Sequence, residues 1–238
     1  MFLIQKDYYN LITSENLDVV LDGEDQWRID AELSAIEEIK GYLNNRYDTD
    51  VLFKQAKIWA KTTVYTTGDF ILLQASNFSA TATYVVDNLV THTDGYVYIC
   101  ILAPTANQAP GDATYWTKLE LNESFFTALQ DSTGVELITN AAFFKLGDTR
   151  NALIKTYVTD ITLYNLHSRI NPRNIPDFRV GRRDDAIAFL KATADPRMNV
   201  HPDFPTRDPD TDDDDGINKG YDISWGSVTK TDNGESNY

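Results

Sequence analysis

A block of β-branched and aromatic residues separates two segments with helical spacing, and this order most constrains the fold. The block runs from residue 62 to 119 and contains "TTVYTTGDFILL", "TATYVV" and "GYVYICIL", with turn-forming residues between these runs. Such runs favour short strands joined by tight turns. The sequence therefore predicts a small antiparallel β-module, residues 62–120, inserted into a helical protein.

The segments on either side of this block have the periodicity of helices. Residues 28–47 predict an amphipathic helix with Asp30, Glu32, Glu37 and Glu38 on its polar face and an apolar face formed by Ile29, Leu33, Ile36, Ile39, Leu43 and Tyr47. Asn122 is a candidate N-cap for a helix in "NESFFTALQ". Residues 152–170 are apolar on most sides, which predicts a buried helix that ends at Asn171-Pro172. "DDAIAFLKATA" predicts a further helix.

The composition changes again at Asp203, after which ten acidic residues face three basic ones. This stretch has few apolar residues, so we expect an extended acidic tail over residues 203–238. Within it, Tyr221, Ile223 and Trp225 alternate with polar residues and predict an anchor for a partner. The predicted fold class is α+β: a helical bundle from residues 1–61 and 121–202, the inserted β-module and the tail.

Charge and cysteine content restrict the classes of function. The 238 residues carry a formal net charge of -15, which disfavours general nucleic-acid binding. Cys100 is the only cysteine, so no internal disulfide can form. No apolar run approaches the roughly 20 residues that span a membrane, and the first residues do not resemble a signal peptide. We expect a soluble protein made in a cytoplasm.

The sequence contains no local motif of catalysis, metal binding or cofactor binding. The three histidines, His92, His167 and His201, lie in different segments, and no zinc-protease, serine-hydrolase or phosphate-loop pattern is present. The run "DPDTDDDDG", residues 208–216, offers carboxylates for calcium, but its register does not fit a calcium loop. A solvated acidic linker is the favoured interpretation. We expect no enzyme, no cofactor and no metal.

Five arginines lie close together in this acidic chain: Arg169, Arg173, Arg179, Arg182 and Arg183. They could neutralise DNA phosphates. They could pair with the nearby Asp177, Asp184 and Asp185, or they could grip carboxylates of a neighbouring protein bidentately. The net acidity favours the last two alternatives.

Three helical motifs resemble those of bacteriophage head–tail connector proteins, also called adaptor or head-completion proteins. The first is Tyr42-Leu43-Asn44-Asn45-Arg46-Tyr47, although Asp48-Thr49-Asp50 stands where the family usually has proline. The other two are formed by Asp160, Ile161, Tyr164 and Leu166, and by Arg183, Asp185, Ala186 and Leu190.

This resemblance implies a helical bundle that assembles into a ring, usually of about twelve copies. The ring docks on the portal protein in the neck of the virion, contacts further connector or tail proteins, and lets DNA pass through its channel without specific binding. It implies no membrane and assembly in the host cytoplasm. The five arginines and the Tyr221, Ile223 and Trp225 anchor would then contact neighbouring subunits or the portal.

The insert resembles small chitin- and cellulose-binding modules through Tyr65, Gly68, Asp69, Tyr98, Cys100, Pro110 and Trp116. In such modules aromatic rings stack on sugar faces, which makes candidates of Tyr65, Tyr84, Tyr115 and Trp116. The same rings could instead fill a small core, and we expect this for Tyr98 and Trp116. A connector ring protein is thus the expected function. A carbohydrate-binding adhesin of a phage or bacterium is the alternative.

Overall fold

The structure is a computed structural model that describes residues 2–21, 24–103 and 108–207. Residues up to Thr206 form one compact unit. The fold is α+β, with six helices and two small sheets in the described residues. No described helix is long and apolar enough to cross a membrane.

Helices lie on both sides of the strands in the chain, with three short helices and one long helix before them and two long helices after them. The helices are α1 (Gln5–Tyr8), α2 (Ser14–Leu21), α3 (Asp25–Leu43), α4 (Thr49–Leu52), α5 (Ala152–Ile170) and α6 (Asp177–Ala194). The strands are β1 (Lys57–Ile58), β2 (Phe70–Leu73), β3 (Leu89–Thr91), β4 (Tyr96–Cys100), β5 (Trp116–Leu121), β6 (Ser124–Ala128) and β7 (Phe144–Leu146).

The long helices α3, α5 and α6 share one hydrophobic core, to which α2 also contributes. Leu17, Ile39, Ile161 and Leu190 are fully buried there. The Asn151 side chain caps α5 by accepting hydrogen bonds from the backbone N–H groups of Leu153 and Ile154. The predicted burial of α5 is confirmed, because the helix packs against several neighbours at once.

The strands form two sheets that enclose a second core. One sheet has the order β1-β2-β6-β7, in which β1 is parallel to β2 and the other pairs are antiparallel. The other sheet, β3-β4-β5, is antiparallel throughout. Trp59, Ile71, Ile99 and Phe126 are buried in the core that the two sheets share.

The helix predicted in "NESFFTALQ" is wrong, because this segment forms strand β6. Asn122 and Glu123 turn the chain between β5 and β6, and Glu123 adopts a positive φ of 62°. Phe125 and Phe126 are consecutive and both buried, one on each face of the sheet, with Phe125 against Phe70 and Phe126 in the second core. A strand buried on both faces lacks alternation, so its apolar pair looked helical. The strands extend from Lys57 to Leu146, beyond the predicted limits of 62 and 120.

The predicted faces of α3 are partly wrong. Leu33 is 47% exposed, whereas Glu32, assigned to the polar face, is only 3% exposed. Glu32 is buried because its carboxylate accepts hydrogen bonds from the backbone N–H groups of Phe2 and Leu3, at 2.9 and 3.0 Å. These donors lie about thirty residues earlier, so helical periodicity contains no signal for them.

The first residues of the predicted tail are folded. Phe204 is buried and packs edge-on against Tyr47, with ring centroids 5.4 Å apart. The Asp48 N–H donates to the Pro205 carbonyl at 2.8 Å, and Thr206 forms a β-bridge with Tyr47. An extended tail from residue 203 is therefore wrong for residues 203–206. The acidic run and the predicted anchor of Tyr221, Ile223 and Trp225 lie outside the described residues.

Candidate interaction surfaces

Three of the five clustered arginines hold α6 to the rest of the protein. Arg182 donates from Nε and Nη2 to the two carboxylate oxygens of Asp160 on α5, at 2.5 and 2.9 Å. Arg183 donates to Glu38 on α3 at 2.7 Å. Arg179 is buried and donates to the Leu11 carbonyl at 3.0 Å, and its burial lowers its pKa.

These partners differ from those that proximity in sequence indicated. Of the three nearby aspartates, only Asp184 comes within 4 Å of an arginine, at 3.8 Å from Arg183. Arg169 places its guanidinium over the Trp27 ring of α3, 4.6 Å from the centroid. Four arginines thus contact groups within their own chain, which leaves Arg173 as the member with an unused charge.

We expect Arg182→Ala to lower the free energy of unfolding by about 1–3 kcal/mol, because it leaves the buried Asp160 carboxylate without its bidentate donor. Arg173→Ala should change it by less than about 0.5 kcal/mol. Urea denaturation followed by circular dichroism measures both values. Equal stability of the two variants would contradict a structural role for Arg182.

The connection between α5 and α6 exposes a mixed apolar and cationic surface, formed by Ile170, Arg173 and Phe178 and called here the connection surface. Ile170 is 50% exposed and Phe178 is 58% exposed. Arg173 is exposed and makes no hydrogen bond, ion pair or ring contact with the described residues. Arginine and phenylalanine are enriched in protein–protein interfaces, so this surface suits a protein partner.

Two of the four predicted sugar-stacking aromatics, Tyr65 and Trp116, belong to the interior of the β-part. Tyr65 is buried in the second core, and its hydroxyl accepts a hydrogen bond from the Ala60 N–H at 2.8 Å. Trp116 is buried, and its indole N–H donates to the Gln108 carbonyl at 2.9 Å. Tyr98 is buried as well, so the expected core role of Tyr98 and Trp116 is confirmed.

Only part of the outer face of β3-β4-β5 remains open to a ligand. Tyr84 and Tyr115 are half-buried, and Tyr84 stacks on Phe78 with centroids 5.4 Å apart. The Lys118 ammonium lies 3.5 Å from the centroid of Tyr96 and occupies one face of that ring. The face therefore offers two partly exposed tyrosines and no open row of rings.

The side chains that could bind a metal ion or act in catalysis are scattered over the described part of the fold. The described residues contain no group of three or more His, Cys, Asp or Glu side chains placed to hold a metal ion. His167 contacts the Leu163 carbonyl through Nδ1 at 2.8 Å, and His201 contacts Arg46 at 2.5 Å. His92 packs against Tyr98 and Phe78 on the β-part, so the three histidines lie in separate environments.

An acidic cavity that the sequence did not indicate lies between the helices and the β5–β6 turn. Its volume is about 380 Å³, and its lining includes Ile4, Asp18, Leu21, Asp25, Arg28 and Glu123. Burial first, and then the charge of Asp7, raise the pKa of the Glu123 carboxyl. Residues from five separate segments, including Gln74 after β2, form this cavity, which is why no local pattern predicted it.

Comparisons with known proteins identify no relatives. No family model matches the sequence. No curated protein and no solved structure is significantly similar to it.

Proposed function

We propose that this protein is a virion structural protein that forms a head-to-tail connector ring. In this proposal α2, α3, α5 and α6 are the connector-like bundle, and the ring docks on the portal and links the capsid to the tail. The proposal assigns no catalytic role. The proposal starts from the resemblance to the connector family, which involves the motif from Tyr42 to Tyr47 and the motifs in the α5 and α6 segments.

The connection surface carries this proposal. Two long packed helices support it, and four arginines next to it or at its ends are held by contacts within the chain. Ile170, Arg173 and Phe178 are consequently presented on a firm base. The Arg179 guanidinium lies 4.6 Å from the centroid of the Phe178 ring, which is still 58% exposed. Preorganised surfaces lose little entropy on association, which suits the repeated contacts of a ring.

The negative net charge of the chain supports a ring through which DNA passes without binding. The formal net charge is -15, and two of the five arginines that could have contacted phosphates, Arg182 and Arg183, are paired with Asp160 and Glu38. Unpaired carboxylates repel the phosphate backbone and leave DNA free to slide. A ring around a DNA channel needs this property.

The test is electron microscopy of the purified full-length chain, alone and with its portal protein, together with mass measurement. We expect closed rings of uniform diameter with about twelve copies. A chain that stays monomeric at every concentration and does not bind the portal would contradict the proposal.

The alternative function is a carbohydrate-binding adhesin, and half-buried Tyr84 and Tyr115 are the observation in its favour. The same preparation discriminates between the two functions, because an adhesin would be retained on polysaccharide beads as a monomer. Retention that Tyr84→Ala and Tyr115→Ala abolish would support the adhesin.

A further inference from the structure

We propose that the acidic cavity receives Arg173 from the connection surface of a second copy of this chain. This inference rests on the proposed ring function and deepens it, because it names the two surfaces that meet. The contact is heterologous, with a donor surface and an acceptor surface on every copy. Closed cyclic rings of more than two subunits require contacts of this kind.

The cavity suits a long cationic side chain. Ile4 and Leu21 give it an apolar wall, against which the methylene stem of arginine packs. Asp18 and Glu123 add carboxylates that make no hydrogen bond or ion pair with any described residue. Asp25 is already held by Arg28 through bonds of 2.8 and 3.1 Å, so Asp18 and Glu123 are the groups available to a guanidinium.

Arg28 provides a second indication that the cavity takes a polar ligand. The residue is almost completely buried and lines the cavity, yet its Nη1 has no hydrogen-bond acceptor among the described residues. The Glu32 carboxylate is 3.8 Å from that atom, too far for a hydrogen bond. This atom has almost no solvent-accessible surface, so a carbonyl of the connection beside Arg173 would supply the missing acceptor only after the cavity wall shifts.

The electrostatic state of Glu123 fits an empty cation site. The pKa of its carboxyl is raised by burial and then by the charge of Asp7, and the positive charges of Lys6 and Arg28 only partly offset this. A guanidinium beside Glu123 would offset the free-energy cost of keeping the Glu123 carboxylate ionised in a partly desolvated site. Exposed Tyr9, directly after α1, and exposed Val19, on α2 next to Asp18, provide apolar area for Ile170 and Phe178.

The two surfaces lie on different sides of the same protomer, as a ring contact needs. Asp25 lines the cavity, and Trp27 carries the Arg169 guanidinium at the end of α5. Both belong to the first turn of α3, where two residues correspond to a rotation of roughly 200°. Arg28 also lines the cavity, and it is one residue, a rotation of only about 100°, from Trp27. The cavity and the end of α5 that leads into Arg173 therefore lie on different sides of α3.

A charge exchange tests the contact. We expect Glu123→Arg and Arg173→Glu each to weaken self-association of the full chain by at least about tenfold, and the double variant to restore most of it. Sedimentation velocity over a concentration series measures the association, and thermal unfolding confirms that each variant is folded. Glu120→Arg and Lys145→Glu are matched controls on the β-part, and both should assemble like the unchanged chain.

The outcomes separate this inference from the function on which it rests. Rings that persist in both single variants, or a double variant that does not recover, would overturn the Arg173 contact and leave the connector function standing. Equal weakening by the two controls would also overturn it, because the effect would then be general charge repulsion. A chain that forms no ring at all would overturn both. If Glu123→Arg does not fold, Glu123→Gln replaces it, and undiminished association of Glu123→Gln would count against the contact.

Discussion

Arg150→Ala should lower the free energy of unfolding by about 3–5 kcal/mol, the usual cost of leaving a buried ion cluster without its central charge. For a chain of this size the midpoint of thermal unfolding falls by roughly 6–20 °C. The side chain is 3% exposed and joins three parts of the fold. It donates to the Phe2 carbonyl, to Asp7 at 2.7 Å and to Asp148 at 2.8 Å, and its guanidinium lies 4.0 Å from the Phe125 ring centroid of β6.

The pKa of a carboxyl next to Arg150 shows how strongly the charges of this cluster interact. Burial alone would raise the pKa of Asp148, but hydrogen bonds from Arg150 and Lys155 outweigh it and hold the pKa at about 2. In Arg150→Ala, Lys155 remains 2.8 Å from Asp148 and 3.4 Å from Asp7, so part of the charge stays balanced. The loss therefore comes mainly from the Phe2 carbonyl, Asp7 and the packing on Phe125.

Calorimetry of Arg150→Ala, Arg150→Lys and Arg197→Ala measures the effect. Arg150→Lys keeps the charge without the two-pronged geometry, so it should fall between the original chain and alanine. Arg197 is 88% exposed, and among the described residues its ion pair is with Asp195, two positions earlier, so its removal should leave the midpoint unchanged. A midpoint for Arg150→Ala that equals that of Arg197→Ala would show that the cluster does not hold these parts together.

Glu32→Ala should have a comparable effect, about 3–5 kcal/mol, because several buried groups depend on this one carboxylate. Oε1 accepts from the Phe2 and Leu3 N–H groups, and Oε2 accepts from the Tyr8 hydroxyl at 3.3 Å. Burial, followed by the charge of Glu32, raises the pKa of Tyr8, as expected for a phenol that stays a donor to this carboxylate. Alanine would leave these three donors without an acceptor and would remove the negative charge 3.8 Å from the buried Arg28.

Urea denaturation of Glu32→Ala and Glu32→Gln separates charge from shape. Glutamine keeps one acceptor oxygen and the volume, so its loss should be smaller than that of alanine. Glu37→Ala is the matched control on α3, because its side chain is mostly exposed and its nearest cation is 3.6 Å away. A Glu32→Ala variant as stable as Glu37→Ala would contradict the role assigned to the buried carboxylate.

The long helices could be predicted from the sequence because their determinants are local. Apolar residues recur along α5 and α6 at helical spacing, and Asn171-Pro172 stops α5 at Ile170. The α+β class followed from the change in composition at residue 62 for a similar reason, since β-branched runs and turn residues act within a few positions. The start of α6 was not predicted: the helix begins at Asp177 and not at Asp184, so Arg179, Arg182 and Arg183 lie inside it and not in the connection.

The tertiary structure alone decided which surfaces remain unpaired. Strand β6 escaped prediction because Phe125 and Phe126 face two different cores, and the second of these exists only once both sheets have formed. Glu32 became a buried acceptor because the chain start returns to α3. Arg183 finds Glu38 across 145 residues, and Arg182 finds Asp160 across 22. Such pairs depend on how the helices pack against one another, and the local sequence pattern of each helix does not contain that information. The charge left on Arg173 and on Glu123 is what remains after those distant pairs are made.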